Sequence, residues 1–184
     1  MRPDLATVVG GTNDLLRRHF DAAAVAADLE QMFRALIANG ATVLTFTLPD
    51  LSPVMPVARM LRERVARLAE EVRAASARSG AIVCDFEKYP VASDPRLWSD
   101  DRLHANSAGH ARMAEALAFH LGLPGTDASW SEPLPAQPAP TILDLAGAEL
   151  AWIRRHLAPW IWRHLQGRSS GDGRTAKRPE LLPV

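Results

Sequence analysis

Three short apolar runs, separated by longer amphipathic stretches, constrain this chain more than any other feature. Residues 5–9 (LATVV), 41–47 (ATVLTFT) and 81–86 (AIVCDF) are rich in aliphatic and β-branched side chains, with little of the alternation a half-exposed strand would show. Strands apolar on both faces belong to parallel sheets covered by helices on each side. The intervening segments supply those helices. Residues 21–39 put Val25, Leu29, Phe33, Leu36 and Ile37 on one face, with Asp21 as cap and Gly40 as stop. Residues 57–78 do the same with Met60, Leu61, Val65, Leu68 and Val72, and Gly80 ends them. A further helix over 106–121 is ended by Gly122. The order predicts an α/β fold in which loops 10–14, 48–56 and 87–105, at the carboxyl ends of the strands, form the functional edge.

Composition narrows the function classes. At 184 residues the chain is long enough for one domain and a tail. Twenty-one basic and 21 acidic residues cancel, so the basic surplus a nucleic-acid binder uses to displace counterions is lacking. The single cysteine, Cys84, excludes an intramolecular disulfide and a multi-cysteine zinc site, and its strand position reads as a small buried hydrophobe. No apolar run is long enough for a transmembrane helix, and the start lacks a signal-peptide core, so a cytoplasmic location is expected.

The organisation changes after Gly122. Residues 1–123 read as the α/β domain, 124–140 as an extended Pro-rich linker, 141–167 as an amphipathic Trp/Arg helical segment and 168–184 as a disordered tail. Residues 141–184 carry 7 basic and 4 acidic side chains, against 14 and 17 in the rest, so neutrality hides a modest separation. The ordinary reading of the Trp/Arg helix is packing back onto the domain. Its aromatics and arginines also suit a membrane surface or a protein partner, and Pro159 is expected to kink or split it.

Two loop motifs carry chemistry. Gly10-Gly11-Thr12-Asn13-Asp14 follows the first strand, where glycines permit a sharp turn and Asn13 can aim an amide at a developing oxyanion. The same residues are ordinary turn formers, and Asn13 or Asp14 could simply cap a helix. Asp101-Arg102-Leu103-His104 offers a carboxylate and an imidazole three residues apart, the pairing that holds a general base in one tautomer. A solvated loop histidine beside a charge is the plain alternative. His110, one turn into the following helix, reads as a packing residue, and a His104/His110 metal site lacks a third ligand. His19 reads as a solvated residue near the first motif.

Together, GGTND and DDRLHANSAGH, separated by two apolar strands, resemble the asparagine block and the terminal Asp-x-x-His block of the SGNH/GDSL hydrolase family. The resemblance covers about residues 5–123. It implies a flavodoxin-like three-layer α/β/α sheet, N-terminally incomplete, and hydrolysis of small-molecule carboxylic esters without metal or organic cofactor. It also implies roles: His104 as base, Asp101 rather than Asp100 as its orienter, Asn13 in the oxyanion hole, and Gly11 shaping the turn that presents Asn13.

The chain departs from the family at its start. The family's nucleophilic serine and a second, glycine oxyanion donor lie in blocks ahead of the asparagine block, and only nine residues precede Gly10. Ser52, Ser93, Ser99 and Ser107 do not sit in a strand-to-helix elbow, so the nucleophile is left unknown. The expectation is that Met1 is internal to a longer product carrying about 60 more residues, an estimate from the size of strand–helix units. The alternative is a non-catalytic remnant or interaction protein on the same fold. A nucleotide binder is disfavoured because GGTND lacks phosphate-loop glycine spacing.

Overall fold

Strands Leu5–Thr7 (β1), Thr42–Phe46 (β2) and Ile82–Cys84 (β3) form a parallel sheet in the order β1-β2-β3, with Leu5 opposite Thr42 and Leu44 opposite Ile82. The computed structural model describes residues 2–167 and Thr175, so the disordered tail expected over 168–184 lies almost wholly outside the described residues. The chain divides into two compact units, Met1–Ala136 and Gln137–Val184.

In the first unit the sheet lies between helices, as the apolar runs require. Helices α1 (Ala22–Ala38) and α2 (Arg62–Ser79) pack with Val43 into one core that includes Leu29, Phe33, Leu68 and Val72. Helix α3 (Ser107–His120) covers the opposite face, where Cys84, Phe86 and Ala116 meet Phe46. Phe33 is fully buried, and truncating such a side chain typically costs about 3–5 kcal/mol. This is the three-layer α/β/α arrangement.

Boundaries follow local chemistry. Asp21 accepts a hydrogen bond from the Ala24 amide and starts α1, and Gly80, at φ 84°, ends α2 in the left-handed region. The strands are shorter than the apolar runs, because ladder bonding continues only as single contacts: Val8 N–H to Leu44 O at 2.9 Å and Thr47 N–H to Cys84 O at 3.2 Å. The helix expected from residue 57 begins as a 3₁₀ segment, Pro56–Leu61, with Pro56 at a first-turn position where its missing N–H costs nothing. Strand β1 pairs only with β2 among the described residues, and Leu5 is half exposed.

The stretch 124–140 is extended only in part. A 3₁₀ turn, Ala128–Ser131, carries Trp130 into the core beside Phe86 and Tyr89, with ring centroids 6.0 and 4.5 Å away. Arg96 then fastens the chain by donating to Pro135 O at 2.6 Å. The segment therefore behaves as a strap on the domain through its aromatic anchor.

The second unit contains α4 (Ile142–Trp152), a π turn (Ile153–Leu157) and α5 (Ala158–Leu165). Thr141 and Asp144 form a reciprocal capping box at the start of α4. The expected break at Pro159 falls ahead of it. An α-helical path would bring the proline ring against the carbonyl of residue 155, and the wider π turn there removes that conflict.

Candidate functional site

The loop after β3 is wound tightly by three 3₁₀ turns, Phe86–Lys88, Pro90–Ser93 and Pro95–Leu97, before it reaches Asp101. Trp98 forms an antiparallel bridge with Ala105, and Ser99 N–H donates to His104 O at 2.8 Å. Residues 99–104 are thereby closed into a small loop. Arg102 turns it, at φ 62° in the left-handed region that side chains seldom adopt.

Asp101 organises the loop from inside. One carboxylate oxygen accepts the backbone N–H groups of Leu103 and His104 at 2.9 and 3.0 Å, and the other meets His104 Nδ1 at 2.7 Å. Partial burial alone would push the Asp101 carboxyl up, but the hydrogen bonds from His104 and Leu103 outweigh it and hold it below the ordinary aspartate value. An ionised Asp101 fixes the proton of neutral His104 on Nδ1, leaving Nε2 as the acceptor. The His104 side chain is 79% exposed, so that nitrogen is open to reactants.

Asn106 sets where this loop stands. Its side-chain amide donates to the carbonyls of Arg96 and Trp98 at 2.8 and 3.2 Å, while its carbonyl oxygen accepts the Gly109 N–H at 3.0 Å and caps α3. A Cβ on Gly109 would lie 2.2 Å from Leu97 O, so the helix reaches the loop backbone only because that position is glycine. His110 is exposed on α3.

The first motif lies beyond β1 on the same carboxyl edge of the sheet. Gly11 has φ 101°, and a Cβ there would lie 2.7 Å from Leu68 Cδ2 and 3.2 Å from Val25 Cγ1, which accounts for glycine between α1 and α2. Arg64 ties the loop to α2 by donating to Leu15 O and Arg17 O, both at 2.7 Å. Asn13 precedes a 3₁₀ turn, Asp14–Leu16; its side chain is exposed and does not act as a cap. The structure thus joins Asp101 to His104 directly, whereas no hydrogen bond links Asn13 to that pair among the described residues. His19 is exposed nearby in the chain.

Two of the candidate serines are engaged elsewhere. Ser52 is buried and donates to Oδ1 of Asp50, whose Oδ2 accepts from Arg62. Ser99 Oγ donates to Ala105 O at 3.3 Å, and Ser107 is the exposed first residue of α3. Cys84 is buried, and desolvation pushes its thiol up to about 12. Among the described residues, no three His, Cys, Asp or Glu side chains converge as a metal-binding group.

One cluster went unread in the sequence. Arg73 of α2 makes a bidentate pair with Asp85, at 2.8 Å for each bond, and also binds Glu87. Thr47 Oγ1 donates to Asp85 at 2.8 Å and accepts the Glu87 N–H at 3.0 Å, and Lys88 pairs with Asp85 at 2.8 Å. Burial opposes the charge on Asp85, but the bonds from Arg73, Lys88 and Thr47 prevail and lower its carboxyl to about 2. The cluster fixes the ends of β2 and β3, from which the Asp101 loop departs. The only sequence signal was a lone acid at the end of an apolar run.

A sequence profile of the GDSL-like lipase/acylhydrolase family matches residues 1–112, more than half of the chain. The chain belongs to the GDSL-like lipase/acylhydrolase family. Three solved structures share the fold of this family member. LAE5, an alpha/beta hydrolase enzyme from the metagenome of Lake Arreo, Spain, is 23% identical with a TM-score of 0.53, covering 66% of this chain and 61% of LAE5. A mutant of Axe2, an acetyl-xylooligosaccharide esterase from Geobacillus stearothermophilus, is 18% identical with a TM-score of 0.53, covering 69% of this chain and 63% of that one. A catalytic mutant of the same acetylxylan esterase gives 18%, 0.52, 72% and 64%. The GDSL-like chain therefore spans just under two thirds of the length of these structures. No curated protein matches it.

Proposed function

We propose that this chain carries the base and oxyanion-binding half of a carboxylic-ester hydrolase site. The observation that carries the reading is the His104 Nδ1–Asp101 Oδ2 contact of 2.7 Å, in a loop whose geometry leaves His104 Nε2 facing solvent. In this reading His104 Nε2 takes the proton of a serine hydroxyl as its oxygen attacks the ester carbonyl. Asp101 stabilises the imidazolium that results. The carbonyl oxygen gains negative charge, and the Asn13 amide donates to it, presented by the turn at Gly11. Imidazolium then protonates the leaving alkoxide, leaving an acyl-serine; a water deprotonated by His104 attacks that ester, and the imidazolium returns the proton to the departing serine oxygen as the acid is released. Family membership supports ester substrates; acetyl esters are the first to test, by analogy with the acetylxylan esterase fold.

The proposal assigns no serine of residues 2–167 as nucleophile, since Ser52 and Ser99 spend their hydroxyls on Asp50 and Ala105. That observation also favours the second reading, a non-catalytic interaction protein on the same fold. p-Nitrophenyl acetate hydrolysis separates the two. With His104 acting directly on water, slow turnover is expected, falling about 10²-fold or more in His104→Ala, with no covalent labelling by a fluorophosphonate. Turnover equal in wild type and His104→Ala sinks the catalytic reading. Stoichiometric fluorophosphonate labelling of a serine in the chain overturns the claim that none is poised.

A further inference from the structure

The second unit presents an apolar stripe whose continuity depends on its π turn. From α4 to the first residue of the π turn, Ile142, Leu143, Leu150 and Ile153 share one side, with Glu149 the one acid among them, and these four apolar side chains are solvent-exposed, Ile142 at 84%. In a regular α-helix each residue advances about 100°. Carried unbroken through Leu165, that advance would rotate the apolar side chains of α5 off the stripe. The π turn Ile153–Leu157 accommodates one residue more than an α turn and sets all that follows back by about 100°. Ile161, Trp162 and Leu165 thereby fall in line with Ile142 and Leu150, and they are exposed too, Trp162 at 64% and Leu165 at 76%. Arg155 and Arg163 lie on the opposite side, and Arg154 borders the stripe.

Charge selects the occupant. Residues 142–165 carry Arg154, Arg155 and Arg163 against Asp144 and Glu149, and both acids precede Leu150, so the end from Leu150 on is basic and free of acid. An acid-free basic end with an exposed tryptophan beside an aliphatic stripe is complementary to an anionic, partly apolar surface. The spacing of Leu143, Ala146, Leu150, Ile153 and Leu157 would suit a coiled-coil seam with a second copy. The π turn breaks that seam over its last two positions, Ile153 and Leu157, and keeps it from continuing into α5, while leaving a straight stripe fit for a flat surface. No helix among the described residues is long and apolar enough to cross a membrane, which points to lying on a bilayer rather than spanning it.

We infer that residues 142–165 dock flat on anionic lipid headgroups, with Ile142, Leu150, Ile153 and Trp162 inserted and the arginines at phosphate level. The inference does not depend on the hydrolase reading.

The test is co-sedimentation of the full chain with phosphatidylcholine vesicles, with and without phosphatidylserine, followed also by tryptophan emission. Binding to the serine-containing vesicles is expected, with a blue shift, and binding should weaken in high salt. Replacing Arg154, Arg155 and Arg163 by Gln should lower partitioning about fivefold per arginine, and Trp162→Asp should weaken it on both vesicle types. Inserting one alanine between Trp160 and Ile161 advances Ile161, Trp162 and Leu165 by about 100° and splits the stripe without altering an arginine or an inserted side chain. It should reduce binding by about tenfold or more, an order-of-magnitude expectation for removing large apolar side chains from the interface. Helicity at 222 nm checks that each variant still folds. No binding to either vesicle, or binding indifferent to both Trp162→Asp and the insertion, overturns the inference. So does a concentration-dependent dimer in sedimentation velocity that Trp162→Asp abolishes while vesicle binding is absent.

Discussion

Gly109→Ala is the sharpest single test of how the Asp101–His104 loop is held. The new methyl would sit 2.2 Å from Leu97 O and 3.0 Å from Ala105 Cβ. A carbon–oxygen contact needs about 1 Å more than that, and the obstacle is backbone rather than the end of a flexible side chain. Helix α3 or the Leu97 turn must therefore move by about that distance. Overpacking of this kind costs about 1–3 kcal/mol, and an immovable neighbour places the cost near the top of the range. Alanine returns up to ~1 kcal/mol through helix propensity, so the net expectation is a loss of about 2 kcal/mol. Gly147 in α4 provides the control, because nothing lies within 4 Å of a Cβ there. Gly147→Ala should instead raise the helicity of the second unit. Urea unfolding followed by tryptophan fluorescence reads the loss as a lower midpoint, about 1 M for a slope near 2 kcal/mol per molar. The ¹⁵N shifts of the His104 ring should at the same time show less of the Nδ1–H tautomer, as Asp101 is carried away. A Gly109→Ala protein as stable as wild type, with an unchanged His104 tautomer, would refute the claim that this close approach positions the pair.

Further outcomes follow from the buried polar groups. Asp85 has a folded carboxyl value of about 2, below the ordinary 3.8. Its contribution is therefore fully present above about pH 4 and is lost as pH falls through 2. Asp85→Asn should cost about 1–3 kcal/mol at neutral pH, since Arg73 loses its bidentate partner. The gap from wild type should close between pH 4 and 2 in urea titrations, and a constant gap would contradict the assignment. Thr45 Oγ1 is buried on β2 and has no hydrogen-bond partner. Thr45→Val keeps the shape and removes the orphan hydroxyl, so thermal unfolding should show a gain of about 1 kcal/mol; a clear loss would reveal an unseen partner such as a bound water. Asp101→Asn should cut any His104-dependent esterase rate by about 10²-fold or more, while leaving the far-ultraviolet spectrum unchanged.

The layers were legible because apolar runs and helical faces report burial directly, and Asp21, Gly80 and Asn106 act locally, as caps or stops that their own neighbours dictate. The pairing of Asp101 with His104 was legible for the same reason: three residues of loop bring the groups together. What escaped the sequence depends on distant partners. Trp130 lies in a proline-rich stretch that reads as extended, and rings it meets only in the fold make its burial favourable: Phe86 and Tyr89, some forty residues earlier, and Phe119 and His120 of α3. Arg73 reads as one more charge on the polar face of α2 until β3 delivers Asp85 beside it. The π turn escaped because Pro159 announces a break without fixing where the helix yields, and the helix yields in the turn before it. Gly109 carries no local signal within α3, and the carbonyl of Leu97 explains it.

The three bonds of the Asn106 side chain have a consequence for motion. One amide holds two carbonyls of the loop, and its oxygen holds the first turn of α3. The turn cannot fray and the loop cannot loosen independently, because either event breaks the same side chain's contacts. Loop and helix start therefore open as one cooperative unit. In kinetic terms, the exposed His104 owes its rigidity to a neighbour two residues away, so the lifetime of the paired imidazole is set by the opening rate of a helix end.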